Sequence, residues 1–159
     1  MLNEFCTLPH DTLQVRRVTT NGADFALPEC DIVKVLPFDH DVAVERVGGV
    51  LFLHIDGRFR PLISLSEALC LPVDRVAHDC NQVVVVVRLG SQVFGLLVEH
   101  AALPTQAIVH PTINASPALA PFTEIVRLDD GRDVAVLNPP YLALSAQPGR
   151  AVDNLGLAA

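Results

Sequence analysis

Long apolar runs are missing from this sequence. The longest uninterrupted one is five residues, Val83 to Val87, far short of the roughly 18–20 residues a bilayer-spanning helix requires. The first fifteen residues carry Glu4, Pro9 and Asp11 and no apolar stretch, so they do not read as a signal peptide. Charge is scarce at 18% of residues, half the chain is apolar and the mean hydropathy is +0.39. Intrinsic disorder needs the opposite balance and is excluded for most of the chain. Cations are few: 11 against 18 acids, a net charge of −7. The pairs Arg16–Arg17 and Arg58/Arg60 read as isolated, so neither nucleic acid nor an anionic lipid surface is an expected partner. No two of Cys6, Cys30, Cys70 and Cys80 form a Cys-x-x-Cys. With no signal sequence, a cytoplasmic location and free thiols are expected.

What is present is a period-two pattern with frequent tight-turn signals. Asn21-Gly22, Gly48-Gly49, Asp56-Gly57, Gly90-Ser91 and Asp130-Gly131 lie between apolar segments, and such dipeptides supply the positive φ angles of two-residue hairpin turns. Strands are expected over residues 13–20, 23–28, 32–36, 42–47, 50–55, 58–63, 83–89, 92–99, 107–110, 123–128 and 133–137. The valine run should be a central strand, since it is apolar on both faces. Helix is scarce, and the best candidate is residues 64–69, where Ser64 and Glu67 have capping-box spacing and Pro72 stops the helix. Pro104, Pro111, Pro117 and Pro121 exclude a long helix between residues 100 and 122, which should be loop with one edge strand. From Leu142 onward the chain is expected to be loosely attached and helical in part.

Many short strands at regular spacing argue for an all-β barrel or sandwich. Asn21-Gly-Ala-Asp-Phe25-Ala-Leu27 also echoes Gly90-Ser-Gln-Val-Phe94-Gly-Leu96. The echo suits two small barrels, joined near residues 71–81, with interleaving left open. Barrels this small should share an apolar seam.

Enzyme motifs are absent: there is no phosphate-binding glycine loop, no Gly-x-Ser-x-Gly and no His-Glu-x-x-His. The sharpest cluster is Cys70, His78, Asp79 and Cys80, which offers zinc-type ligands or a thiol–imidazole pair. Its spacing matches no structural zinc pattern, and free thiols in a polar loop are the better reading; a metal-binding or thiol-dependent β-barrel enzyme stands as the alternative. Six histidines (His10, His40, His54, His78, His100 and His110) raise a phosphorelay, but His54 lies in a strand and His110 precedes Pro111, so solvated or edge histidines are expected. Asp129-Asp130 before Gly131 is turn chemistry. Glu99, ending a strongly apolar strand, is either a functional group or a strand end reaching solvent.

Several segments together resemble the CheW-like domain of bacterial chemotaxis. They are Phe25-Ala-Leu-Pro28 with Ile32-Val-Lys-Val35; Asp56-Gly-Arg-Phe-Arg-Pro61-Leu-Ile-Ser-Leu65; Val83–Leu89 with Phe94-Gly-Leu-Leu-Val98-Glu99; and Leu128-Asp-Asp-Gly131 with Val134-Ala-Val-Leu137. The resemblance runs over residues 13–141, with 1–12 as a lead-in and 142–159 as a tail. It implies two five-stranded SH3-like barrels packed around a shared hydrophobic core with one short helix. It implies no catalysis and no cofactor.

Members of that family are adaptors, or the regulatory end of the CheA histidine kinase, tying kinase to chemoreceptors. The implied partners are a chemoreceptor cytoplasmic tip and a CheA kinase or CheW adaptor, at receptor arrays on the inner membrane face without insertion into the membrane. The Arg88-Leu-Gly-Ser-Gln-Val-Phe-Gly hairpin looks more like the kinase's regulatory domain, so the chain is expected to be a stand-alone adaptor or a kinase fragment. Val33, Val35, Asp56, Arg58 and Glu99 are the expected partner-binding residues. Gly57, Pro61 and Gly95 are expected to be structural, as a turn, a strand start and a close approach. The sequence departs from the family at Asp56, where an arginine is usual, at Pro37, another arginine position, and at Glu99 and Asn138, where aspartates are usual. Reversed charge at an interface rim alters partner choice and on-rate.

Overall fold

In the computed structural model the described residues are 12–38, 44–71, 82–110 and 120–144. Eleven strands follow in chain order: β1 Thr12–Thr20, β2 Ala23–Pro28, β3 Ile32–Pro37, β4 Val44–Val47, β5 Val50–Ile55, β6 Arg58–Ser64, β7 Val83–Leu89, β8 Gln92–Val98, β9 His100–Val109, β10 Phe122–Arg127 and β11 Asp133–Leu137. Two short helices, α1 (Leu65–Ala68) and α2 (Pro139–Leu144), and a 3-10 turn at Glu29–Asp31 complete the described elements. The all-β reading holds, and every expected hairpin turn lies between paired strands.

The strands form two units. One is a closed barrel in the order β1-β2-β11-β10-β9; the other is a six-stranded sheet in the order β3-β7-β8-β6-β5-β4. The second unit therefore has six strands rather than five, with β3 and β4 at its edges. The units interleave, because β1 and β2 precede the sheet in the chain and β9, β10 and β11 follow it. The expected join near residues 71–81 is corrected: β6 and β7 on either side of it belong to the same sheet. The crossings fall instead at the 3-10 turn and at Glu99, between β8 and β9.

Three apolar clusters follow from the strand alternation. In β7, Val85 and Val87 face the cluster shared by both units, while Val84 and Val86 face the sheet's own cluster with Leu53, Ile55 and Leu62. All four valines are buried, as a strand apolar on both faces should be. The barrel's own cluster holds Val15, Ala26, Ala107, Val126, Leu128, Val134 and Val136. Their immediate neighbours Leu27 and Leu137 turn the other way into the shared cluster beside Phe94 and Leu96. The two halves of the sequence echo differ here: Phe94 is buried in the seam, whereas Phe25 stacks on Phe122 with ring centroids 5.8 Å apart.

Gly95 permits a close approach within the sheet. A Cβ there would lie 2.8 Å from Val84 Cγ1 and 3.2 Å from Leu62 Cδ1.

Three local expectations are corrected. Residues 100–109 form one ten-residue strand, not a loop with a short edge strand. Pro104 is tolerated because β10 pairs with β9 only at Ile108 and Val109, so one flank of β9 is open at the proline. The segment from Leu142 is not loose at its start: Leu142 is fully buried and Ala143 nearly so, both packed into the shared cluster through α2. Ser64 makes no side-chain cap, its hydroxyl lying 3.0 Å from the Ser66 hydroxyl instead.

Candidate partner-binding surface

The β5–β6 turn is built by Asp56 and Gly57, at φ +51° and +83°. Two successive left-handed residues match the right-handed twist of a two-residue hairpin, and glycine adopts the second at no steric cost. The Asp56 carboxylate stands out of the turn, 70% exposed, and meets Lys34 Nζ of β3 at 2.6 Å. Strand β3 sits at the far edge of the sheet order, so this ion pair shows that the sheet curls until its edge meets the β5–β6 turn. Val33 lies at a register shift between Ile32 and Lys34 and is half exposed. Such a bulge leaves a residue outside the ladder and re-aims its side chain. Val35, two residues on, packs partly against the shared cluster.

Arg58 opens β6 opposite Ile55 and is exposed. Pro61 lies within β6 opposite Phe52, rather than at the strand start. The structure thus brings Val33, Asp56 and Arg58 to one end of the sheet. It does not bring Glu99 there. Strands β6 and β8 run parallel with Leu62 beside Gly95, so Arg58 is level with the start of β8. Glu99 follows its other end, about 25 Å away at 3.3 Å per residue.

Glu99 has a different task. Its Oε2 accepts a hydrogen bond from the Asn21 backbone N–H at 2.8 Å, and its own N–H donates to the Thr19 carbonyl at 2.9 Å. Both contacts tie the β8–β9 crossing to the β1–β2 hairpin.

Of the thiol and metal candidates, His78, Asp79 and Cys80 lie outside the described residues, as do Cys6, His10 and His40. Cys70 is exposed and stands at φ +57°, just past α1. Its N–H donates to the Glu67 carbonyl and the Leu71 N–H donates to the Ser66 carbonyl. That pair of bonds is a Schellman helix end, with Cys70 in the left-handed position usually given to glycine. Cys30 is exposed beside Asp31, and burial together with that carboxylate pushes its thiol up, away from the reactive thiolate. Among the described residues no three His, Cys, Asp or Glu side chains gather as a metal site. His54 packs edge-on to Phe59, and His110 Nε2 lies 3.1 Å from Asp133.

Sequence reading missed a second feature, a cleft of about 590 Å³ between β9 and the β10–β11 turn. Arg17, His100, Leu103, Thr105 and Asp129 are among its lining residues. Arg16 and Arg17 are adjacent, yet Arg16 forks onto Glu29 with two 3.0 Å hydrogen bonds while Arg17 Nε is buried without a partner. Opposite Arg17 the β1–β9 register slips, and Leu103 is thrown 82% into solvent. Only the pairing of β1 with β9 reveals this arrangement.

Among curated proteins no match is found. A solved structure, that of the scaffolding protein TtCheW from Thermoanaerobacter tengcongensis, superposes with a TM-score of 0.59. Its likeness covers 80% of this chain and 89% of that one at 15% identity, a likeness of fold. The family description of the CheW-like domain matches residues 14–147, across both the barrel and the curled sheet. The chain therefore belongs to the CheW-like domain family.

Proposed function

We propose that the chain is a non-catalytic chemotaxis scaffold that couples a histidine kinase to chemoreceptors through protein–protein contacts. The observation that carries this reading is the match to the CheW-like domain over residues 14–147. The structure is consistent with it, offering an exposed sheet end at Val33, Asp56 and Arg58. Partners would be a chemoreceptor tip and a CheA-type kinase or CheW-type adaptor, met in the cytoplasm at receptor arrays. Whether the chain works alone or as the regulatory end of a kinase, the surface is the same. Val33 would supply an apolar anchor, and Asp56, with its Lys34 partner, the charge that selects among receptors. Val35 would support Val33 from below, and Glu99 would hold the two units in their relative pose rather than touch the partner.

Co-sedimentation with a membrane-embedded chemoreceptor and a CheA-type kinase tests this. Retention of the chain with receptor and kinase, weakened by Val33→Asp, is expected. Absence of the chain from pellets of both would overturn the reading.

A further inference from the structure

Charges are partitioned unevenly between the two units. In the barrel, Arg16 meets Glu29, Arg17 lies 4.0 Å from Asp24, Arg127 meets Asp133, and Arg132 meets both Asp24 and Asp130. In the sheet the only ion pair among the described residues is Lys34 with Asp56. Arg58, Arg60 and Arg88 have neither a hydrogen bond nor an ion pair among the described residues. In a chain with a net charge of −7, the described cations without an ion pair therefore lie on one unit.

Strand register gathers these three arginines. Arg88 of β7 pairs with Val93 of β8. The parallel β6–β8 register sets Leu62 beside Gly95, and two residues back along both strands Arg60 comes level with Val93. Arg88 thus lies one strand spacing, about 4.8 Å, from Val93, and Arg60 comes level with it on the other side, just beyond the paired stretch of β6 and β8. Laterally paired residues share a face, and Val93 packs against the sheet's own apolar cluster. Arg58, opposite Ile55 of that same cluster, stands two residues further toward the open end. Arg58 and Arg88 are exposed and Arg60 is half-buried. The acid among them, Asp56, is already engaged by Lys34.

We infer that this end of the sheet docks an acidic segment of a partner protein, whose carboxylates pair with Arg58, Arg60 and Arg88 around the half-buried Val93. The inference rests on the scaffold reading and gives the partner's chemistry. Arginine's fork matches carboxylates two at a time. Three unpaired guanidinium groups in an otherwise acidic chain give complementarity to an acidic, not a basic, surface. Asp56 works against such a partner and is held off it by Lys34, so the Lys34–Asp56 pair sets how tightly the acidic segment binds.

The test uses the full chain and a fluorescein-labelled peptide of alternating Glu and Leu at helical spacing, followed by anisotropy. A Lys-for-Glu peptide and a single-stranded DNA of equal charge are the controls. Expected are binding of the Glu peptide that weakens with salt, a loss of tenfold or more in Arg58→Glu/Arg88→Glu, and tighter binding in Asp56→Asn. Circular dichroism confirms folding, and Arg88→Gln alone, at an exposed position, serves if the double variant unfolds. Unchanged binding in these variants, equal binding of the Lys peptide, or tighter binding of the DNA would each overturn the inference. The co-sedimentation assay separates the two readings. Receptor and kinase retention indifferent to the arginine variants sinks the acidic-segment inference alone, whereas arginine-dependent peptide binding without receptor or kinase retention sinks the scaffold alone.

Discussion

The Glu99 carboxylate reaches 2.8 Å from the backbone nitrogen of Asn21, a residue 78 positions earlier in the chain. Asn21 shapes the barrel's first hairpin, at φ +52°, and Glu99 marks the point where the chain leaves the sheet for the barrel. One side chain thereby fixes the angle between the units from the polar side, while Val18, Leu27 and Val98 fix it from the apolar side. A charge-assisted hydrogen bond to a backbone N–H contributes about 1.5–3 kcal/mol. Glu99→Ala should lower the unfolding free energy by about 2 kcal/mol, read by urea denaturation. Glu99→Gln keeps an acceptor oxygen and should lose less. If Glu99 is instead a partner contact with no structural share, the alanine variant will unfold with the wild-type midpoint.

Cys70 occupies a left-handed position at a helix end, where a side chain costs roughly 1 kcal/mol relative to glycine. Cys70→Gly should therefore raise stability, offset in part by the greater freedom of glycine in the unfolded chain. A net gain of up to about 1 kcal/mol is expected. Cys70→Val, β-branched at the same positive φ, should lose stability. A loss in the glycine variant would show that the thiol itself does something the helix end does not require.

Much of the architecture was legible because it depends on local signals. The turn dipeptides place hairpins, and Val83–Leu89 announces a strand buried on both sides because nothing polar interrupts four of its buried valines. What was not legible depends on pairing across long separations. The dipeptide Arg16–Arg17 gives no hint that one arginine forks onto Glu29 while the other keeps an unpartnered nitrogen. Arg58, Arg60 and Arg88 look scattered until the parallel β6–β8 register aligns two of them. The prolines around residue 104 suggested a loop, and the strand survives because one flank of β9 needs no partner there. The expected site divided for the same reason: Glu99 and Arg58 both border β8, but at its opposite ends.

Acid should weaken the barrel in a defined window. For Asp24, burial alone would raise the carboxyl pKa, but hydrogen bonds from the Thr19 hydroxyl and Arg132, with the nearby charge of Arg17, outweigh it and hold the group below its ordinary value. Asp133 is held low by hydrogen bonds from Arg127 and His110, and Asp130 by the Arg132 backbone and side chain. Groups depressed in the folded state stabilise it fully above their unfolded pKa of about 3.9 and lose that contribution as pH falls through the lower folded value. The midpoint temperature should drop progressively below about pH 4. Asp24→Asn should be less stable at pH 7 and show a shallower slope through the acid window. An identical slope in variant and wild type would mean that Asp24 titrates alike in both states.

Gly95 sits where the sheet leaves no room for a Cβ, and its substitution separates packing from backbone freedom. Gly95 is not among the positive-φ glycines, so alanine meets no backbone penalty and only the collision with Val84 Cγ1 at 2.8 Å and Leu62 Cδ1 at 3.2 Å remains. Forcing a methyl into a filled core costs typically 1–3 kcal/mol. Gly95→Ala should fall in that range by urea denaturation. Val84→Ala removes the nearer methyl and should cost about 1–3 kcal/mol by itself through lost burial and cavity formation. In the double variant the new methyl occupies part of the space that Val84 vacates, so the two losses should sum to more than the measured total, with a coupling of about 1 kcal/mol. Strict additivity would place the cost of Gly95→Ala in its contact with Leu62 rather than in its contact with Val84.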